Sequence, residues 1–167
     1  MPEPRQKPGK SEQIVATDRG LIRAVEARWG RLTVDLCATP SNAKAPRYIT
    51  EAENSLSIDW TTLGDGPFWC NPPYGDVEPW VAKARRSCAP IRKIILLIPA
   101  AIDTDYWHDD IHGCAAIYWI SRIKFEGHSD SFPKPLCVLC YGEPPGYYGR
   151  WDWRKAEMLA AQVVLFD

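Results

Sequence analysis

The chain is 167 residues long, and several common features are missing from it. No apolar run approaches the roughly 20 residues that a membrane-crossing helix needs. The first stretch, Met1 to Gln13, is polar and Pro-rich, without the apolar centre of a secretory signal. No G-x-G-x-x-G occurs anywhere, which excludes the glycine-rich cradle that holds a dinucleotide pyrophosphate. An excess of positive charge is also missing. The net charge is −1, which is not the strongly basic balance of a tight non-specific DNA binder and counts mildly against nucleic acid, unless a local basic patch takes the place of a global one. Cysteine is present, with six residues, but not as a metal cluster. Cys137 and Cys140 have metal-like spacing but lie in Leu136 to Tyr141, which reads as a strand. Positions three apart on a strand face opposite sides, and no second pair exists, so the sequence predicts no metal site. Cysteines scattered through apolar runs are typical of reduced buried thiols, which points to a reducing cytoplasm.

What is present is enough for one good core. Apolar residues make up 46% and charged residues 25%, the balance of a globular domain rather than a disordered chain. We expect a flexible arm over 1–13 and a single domain over 14–167. A chain this short has no room for a separate domain that reads a target.

The most informative stretch is Phe68-Trp69-Cys70-Asn71-Pro72-Pro73-Tyr74-Gly75. A short apolar strand runs into two prolines, which cannot donate ladder hydrogen bonds, so pairing stops there. The residue before a proline is pushed toward extended geometry, which restrains Asn71 as well. The product is a rigid loop at the carboxyl end of a strand, with one side-chain amide, unused carbonyls and one aromatic ring. That set suits a planar, weakly nucleophilic amine held against a methyl donor. The Asn71 side-chain oxygen and the Pro72 carbonyl can each accept one N–H of the amine and free its lone pair for attack. Their pull strengthens as positive charge develops on nitrogen, which favours the transition state over the ground state. Tyr74 can stack on a base, and such stacking is worth about 1–3 kcal/mol. Taken alone, the loop also reads as an ordinary strand-ending turn.

The rest of the chain alternates helix and strand. Thr17 or Asp18 to Trp29 reads as a helix with Leu21, Ile22, Val25 and Trp29 on one face, Thr17 as its N-cap and Gly30 as its stop. Leu32 to Leu36 is a strand that carries Asp35 near its carboxyl end, where ligands bind in open α/β sheets. Asp35 either accepts a ligand's ammonium group or caps nearby amides. Ala38 is small enough to let backbone approach a ligand. Tyr48 to Thr50 is a short strand. Thr50 and Glu53 have capping-box spacing, so Glu53 caps a short helix more readily than it binds a ribose, and Glu51 is the other ribose candidate. Pro79 to Cys88 is a helix whose Trp80 reads as core. Ile94 to Ile98 is apolar at every position, as in a central strand covered on both faces. Asp103 to Ile111 is a helix with an acidic start, carrying His108, a candidate general base that reads more readily as structural or as a DNA contact. Ala116 to Ile120 and Leu136 to Tyr141 are strands, and Glu157 to Phe166 looks helical. The polar loop after Ile120 starts at Arg122 and Lys124, the best-placed cations for nucleic acid. Arg85-Arg86 with Arg92-Lys93, and Arg150 with Arg154-Lys155, are further basic groups, though charge runs of this size are more often solvated surface. Gly142 to Trp153 is rich in Gly, Pro, Tyr and Trp and reads as a second substrate-facing loop or a lid.

Asn-Pro-Pro-Tyr after an apolar strand resembles the fourth motif of amino-methyltransferases that use S-adenosylmethionine. With Thr17 to Trp29, Asp35 to Pro40, Asn42-Ala43-Lys44, Pro46 to Thr50, Asp59-Trp60, Trp80-Val81, Pro99-Ala100, Asp103-Thr104 and His108, the chain looks like the phage Dam-like DNA N-6-adenine methyltransferases over roughly 17–141. The resemblance implies a three-layer, Rossmann-like α/β sheet, mostly parallel, with its last strand antiparallel. It implies Thr17, Asp35, Cys37, Ala38, Asp59 and Asn71 around S-adenosylmethionine, with Asp59 near the adenine end. It implies catalysis at Asn71, Pro72, Pro73 and Tyr74, and we expect substrate contact at Tyr74, at His108, and at Arg122 and Lys124 of the polar loop. The expected partner is DNA, single-stranded or with its adenine flipped out of the duplex. The family often has Thr-Pro where Thr17-Asp18 stands, and Arg where Ala101 and Asp105 stand. Two other readings stay open. One is the same chemistry on RNA adenine, DNA cytosine or a protein glutamine. The other is a binding protein that keeps the fold without turnover.

Overall fold

The structure is a computed structural model that describes residues 16–127 and 129–156. The arm expected over 1–13 and the helix expected over Glu157 to Phe166 lie outside these residues. Within them the chain forms α1 (Arg19–Trp29), β1 (Val34–Asp35), β2 (Arg47–Tyr48), β3 (Phe68–Cys70), α2 (Glu78–Ser87), β4 (Ile94–Pro99), β5 (Ala116–Ile120), β6 (Leu136–Tyr141) and β7 (Gly146–Trp151). The strands build one seven-stranded sheet in the order β2-β1-β3-β4-β6-β5-β7. Every registered pairing is parallel except those of β6 with β4 and β5. The reversed strand is therefore Leu136–Tyr141, the last strand expected from the sequence.

β4 shows why the sheet is covered on both faces. Ile94, Leu96 and Ile98 enter one core, and Ile95 and Leu97 the other. α2 packs Trp80, Val81 and Ala84 into the first core, with Phe68 and Cys70. α1 packs Leu21, Val25 and Trp29 into the second, with Trp69 and Val138. The result is a helix–sheet–helix sandwich. Cys137 and Cys140 fall in opposite cores, as their odd spacing on a strand requires. Burial pushes the pKa of both thiols well up, so they stay protonated.

Three elements differ from the sequence expectation. The N-cap of α1 is Asp18, not Thr17: Asp18 Oδ1 accepts from the amides of Gly20 at 2.6 Å and Leu21 at 3.4 Å. A carboxylate at that position satisfies orphan amides and suits the positive helix end. The segment from Asp103 does not continue as an α-helix. Trp107–Ile111 widens into a π-turn, closed by His112 N donating to Trp107 O at 2.7 Å, which lets both Trp107 and Ile111 reach the core. Half of the Gly142 to Trp153 stretch is neither loop nor lid but edge strand β7, with Tyr147 and Tyr148 about half exposed. The turn into it needs Gly142, whose φ is +94° and where a Cβ would lie 2.6 Å from Ala89 O.

Candidate active site

β1 and β3 run side by side, with Asp35 paired to Trp69. Leu36 N extends the pairing by donating to Trp69 O at 2.8 Å. Both chains then turn away at the carboxyl edge of the sheet, so the loops after Asp35 and after Cys70 face each other. The cleft between them is lined by Thr17, Asp35, Cys37, Asn42, Lys44, Trp69 and Asn71.

Asp35 is 2% exposed. Its Oδ1 accepts from Cys37 N at 3.2 Å and its Oδ2 from Lys44 N at 3.0 Å. The carboxylate thus fixes the whole turn from Cys37 to Lys44 while still facing the cleft. Burial raises its pKa from the usual 3.8 to about 7, against the opposing pull of those two amides and of the Lys44 ammonium. Ala38 is buried beneath the turn, where its N donates to Ile49 O at 3.0 Å.

Opposite stands Asn71. Its Nδ2 donates to Thr17 Oγ1 at 3.4 Å, and Thr17 itself is 2% exposed. Because Asp18 caps the helix, Thr17 keeps its hydroxyl for this contact. Asn71 Oδ1 is buried and has no hydrogen-bond partner among the described residues. A buried polar atom without a partner costs about 1–3 kcal/mol, so its retention calls for an explanation. Pro72 is buried and Pro73 half-buried, which holds the loop rigid.

Tyr74 follows, and its ring does not stand clear of the protein. It meets Phe132 edge-on at 5.3 Å between centroids and lies tilted against Phe125 at 6.4 Å. Both phenylalanines come from the excursion between β5 and β6. That excursion folds back as a hairpin, with Lys124 bridged to Ser131 and Phe132 N donating to Ile123 O at 2.9 Å. The Tyr74 hydroxyl is also buried without a partner among the described residues, and burial pushes its pKa far up. Tyr74→Phe removes that atom and leaves the ring contacts. It is expected to stabilise the protein by about 1 kcal/mol, a rise in Tm of about 2–4 °C in a thermal melt.

The remaining predicted residues do not line this cleft. Asp59 is exposed and caps the short turn Trp60–Thr62, accepting from Thr61 N at 2.9 Å and Thr61 Oγ1 at 2.8 Å. Glu53 makes the expected capping bonds, accepting from Thr50 N at 2.8 Å and Thr50 Oγ1 at 2.7 Å. His108 is exposed in the π-turn, and Arg122 and Lys124 are exposed on the hairpin. Arg85 pairs with Asp110 at 3.2 Å and Arg92 with Asp65 at 3.8 Å, so those cations are structural. The cleft residues Asn42, Lys44 and Trp69 had no role assigned from sequence, nor had Phe125 and Phe132. Asn42 and Lys44 fall in a stretch that carried the resemblance, which is the one signal that pointed to them.

A parallel sheet with one reversed strand, and an Asn-Pro-Pro-Tyr loop beside an acidic turn at its carboxyl edge, define a Rossmann-like methyltransferase. The sequence profile of the family described as DNA N-6-adenine-methyltransferase (Dam) matches residues 6–134, and the chain belongs to that family. It is 28% identical over 128 residues to the DNA N-6-adenine-methyltransferase of Haemophilus phage HP1 (strain HP1c1), covering 71% of each chain. It is 26% identical over 113 residues to the enzyme of the same name from Escherichia phage T1, covering 68% of this chain and 47% of that one. Among solved structures, the modification subunit of a putative type I restriction enzyme from Vibrio vulnificus YJ016 matches with a TM-score of 0.50 and 13% identity. That match covers 85% of this chain and 48% of the subunit, and it is a likeness of fold.

Proposed function

We propose that the chain transfers a methyl group from S-adenosylmethionine to the exocyclic amine of adenine in DNA. The observation that carries this reading is Asn71 Oδ1, a buried acceptor without a partner among the described residues, on a side chain that lines the same cleft as Asp35 and Thr17. The cleft chemistry fits the donor. A buried carboxylate at Asp35 suits an ammonium group, and the Thr17 hydroxyl can donate to a carboxylate. When bound, the donor supplies an electrophilic methyl group on a sulfonium.

The residues of the chain do the rest by position. Asn71 Oδ1 and the Pro72 carbonyl accept the two N–H bonds of the amine and draw its lone pair out of the ring. The rigid prolines keep both acceptors still, so little reorganisation is needed as charge develops. The methylated amine is acidic enough to lose a proton to water, so no side-chain base is required, and exposed His108 is free of that task. A stacked base cannot reach a loop at the sheet edge, so the adenine must leave the duplex or come from single-stranded DNA. Arg122 and Lys124, exposed at the root of the hairpin that packs on Tyr74, are the cations we assign to phosphate.

The test is methyl transfer from labelled S-adenosylmethionine to unmethylated DNA, with nucleoside analysis. Labelled N6-methyladenine is expected. Label in cytosine, RNA or protein instead would move the acceptor to one of the related amines. Donor binding without any label transfer would favour the non-catalytic reading.

A further inference from the structure

The hairpin between β5 and β6 touches both halves of the site, and its contact with the donor side is ionic. Lys44 lines the cleft with its side chain only 11% exposed. Its backbone N is pinned by Asp35, so its place relative to that carboxylate is fixed. Its ammonium lies 3.8 Å from Glu126 Oε2. Glu126 reaches in from the hairpin. Its own N donates to Ala16 O at 2.9 Å, and its other oxygen lies 3.5 Å from Arg19 Nε. A carboxylate therefore sits over the start of α1, on a residue bonded to Ala16 next to Thr17, and against a nearly buried ammonium whose charge acts on Asp35. An amino-acid ligand needs that pattern: an acceptor for its ammonium, and next to it a cation for its carboxylate.

We propose that Lys44 receives the carboxylate of the methyl donor, and that Glu126 stands in for this carboxylate in the free protein and latches the hairpin closed. Donor binding then displaces Glu126 and loosens the hairpin. The same hairpin carries Phe125 and Phe132, so its release also uncovers the ring of Tyr74 for the incoming base. The order of events follows: the donor binds first and the hairpin opens to nucleic acid afterwards. This inference rests on the donor named above, and it adds the identity of the cation and a reason for the closed hairpin.

The test is calorimetric binding of S-adenosylhomocysteine, which keeps the amino-acid moiety, and of 5′-methylthioadenosine, which lacks it. Glu126→Gln keeps size and the backbone bond but removes the charge. It is expected to tighten S-adenosylhomocysteine binding about two- to fivefold, the scale of a partly exposed ion pair, and to leave 5′-methylthioadenosine unchanged. Lys44→Met is expected to weaken S-adenosylhomocysteine alone, by about tenfold. Hydrogen exchange at the Glu126 amide should quicken when S-adenosylhomocysteine is added to the unmodified protein. Unchanged or weaker binding by folded Glu126→Gln, or slower exchange at that amide, overturns the latch. Failure of the unmodified protein to bind either compound overturns the donor assignment and the latch with it.

Discussion

Asn71→Ala is expected to lower kcat by about 10²–10³-fold, the usual cost of removing one donor or acceptor aimed at developing charge. Affinity for the donor should stay within a few-fold, because on that side Asn71 makes only a single 3.4 Å bond, to Thr17. Stability should change little, because the lost 3.4 Å bond to buried Thr17 is set against a relieved desolvation cost. The substitution removes a buried oxygen that has no partner among the described residues, and deleting an unsatisfied group relieves its desolvation cost. A drop in kcat with an unchanged or raised Tm is the signature of an atom kept for function at the expense of the fold. Asn71→Asp restores an acceptor at the same place and should recover part of the missing turnover. Rapid-quench single-turnover rates with saturating donor and DNA measure the chemical step directly. An Ala variant that turns over normally would take Asn71 out of the mechanism, and one that merely melts early would make it structural.

Much of this arrangement is written in local patterns. Ile94 to Ile98 has no polar position, so no face of that strand can meet water, and both cores follow. The strand-then-two-prolines pattern at Phe68 to Pro73 dictates a rigid loop at a strand end without reference to anything distant. The turn at Asp35 illustrates how two readings can coexist. Its carboxylate caps two amides and faces the cleft as well. Other features were hidden because they depend on tertiary contact. β7 carries two glycines and exposed tyrosines, the composition of a loop, and becomes a strand because β5 offers an open edge. Phe125 and Phe132 lie in a polar, proline-containing stretch with no period, and only the folded hairpin shows that they hold Tyr74. Asp18 displaced Thr17 as cap because either can serve on sequence grounds, and the choice between them freed the Thr17 hydroxyl for Asn71. Asp59 answers to its own local capping bonds, and the cleft between β1 and β3 forms without it.

Asp35 gives the second large effect, and its sign can be worked out. The carboxyl is pushed up to about 7 by burial. A raised carboxyl value means that the folded protein favours the protonated form. Its contribution to stability is full below the ordinary value near 3.8 and is lost as pH rises through about 7. Binding an ammonium group works in the opposite direction, since it needs the ionised form. Donor affinity should therefore fall as pH drops below about 7, approaching tenfold per pH unit while one proton competes with the ligand. The other groups around the carboxylate do not supply this slope. The Lys44 ammonium favours ionisation, and burial and the neighbouring charges keep the Cys70 thiol protonated throughout. Asp35→Asn should flatten the profile and weaken binding by about 10- to 100-fold at pH 8, the loss of a charge-assisted bond of about 1.5–3 kcal/mol. It also sets an amide NH₂ against one of the two backbone donors that Asp35 now holds, so the Cys37 to Lys44 turn should loosen at the same time. Calorimetric titration with S-adenosylhomocysteine from pH 5.5 to 8.5 separates the two consequences. A loosened turn shifts affinity equally at every pH, whereas loss of the titrating carboxyl removes the slope. A slope that survives in Asp35→Asn would mean that a different group receives the ammonium, and Asp35 would then serve the turn alone.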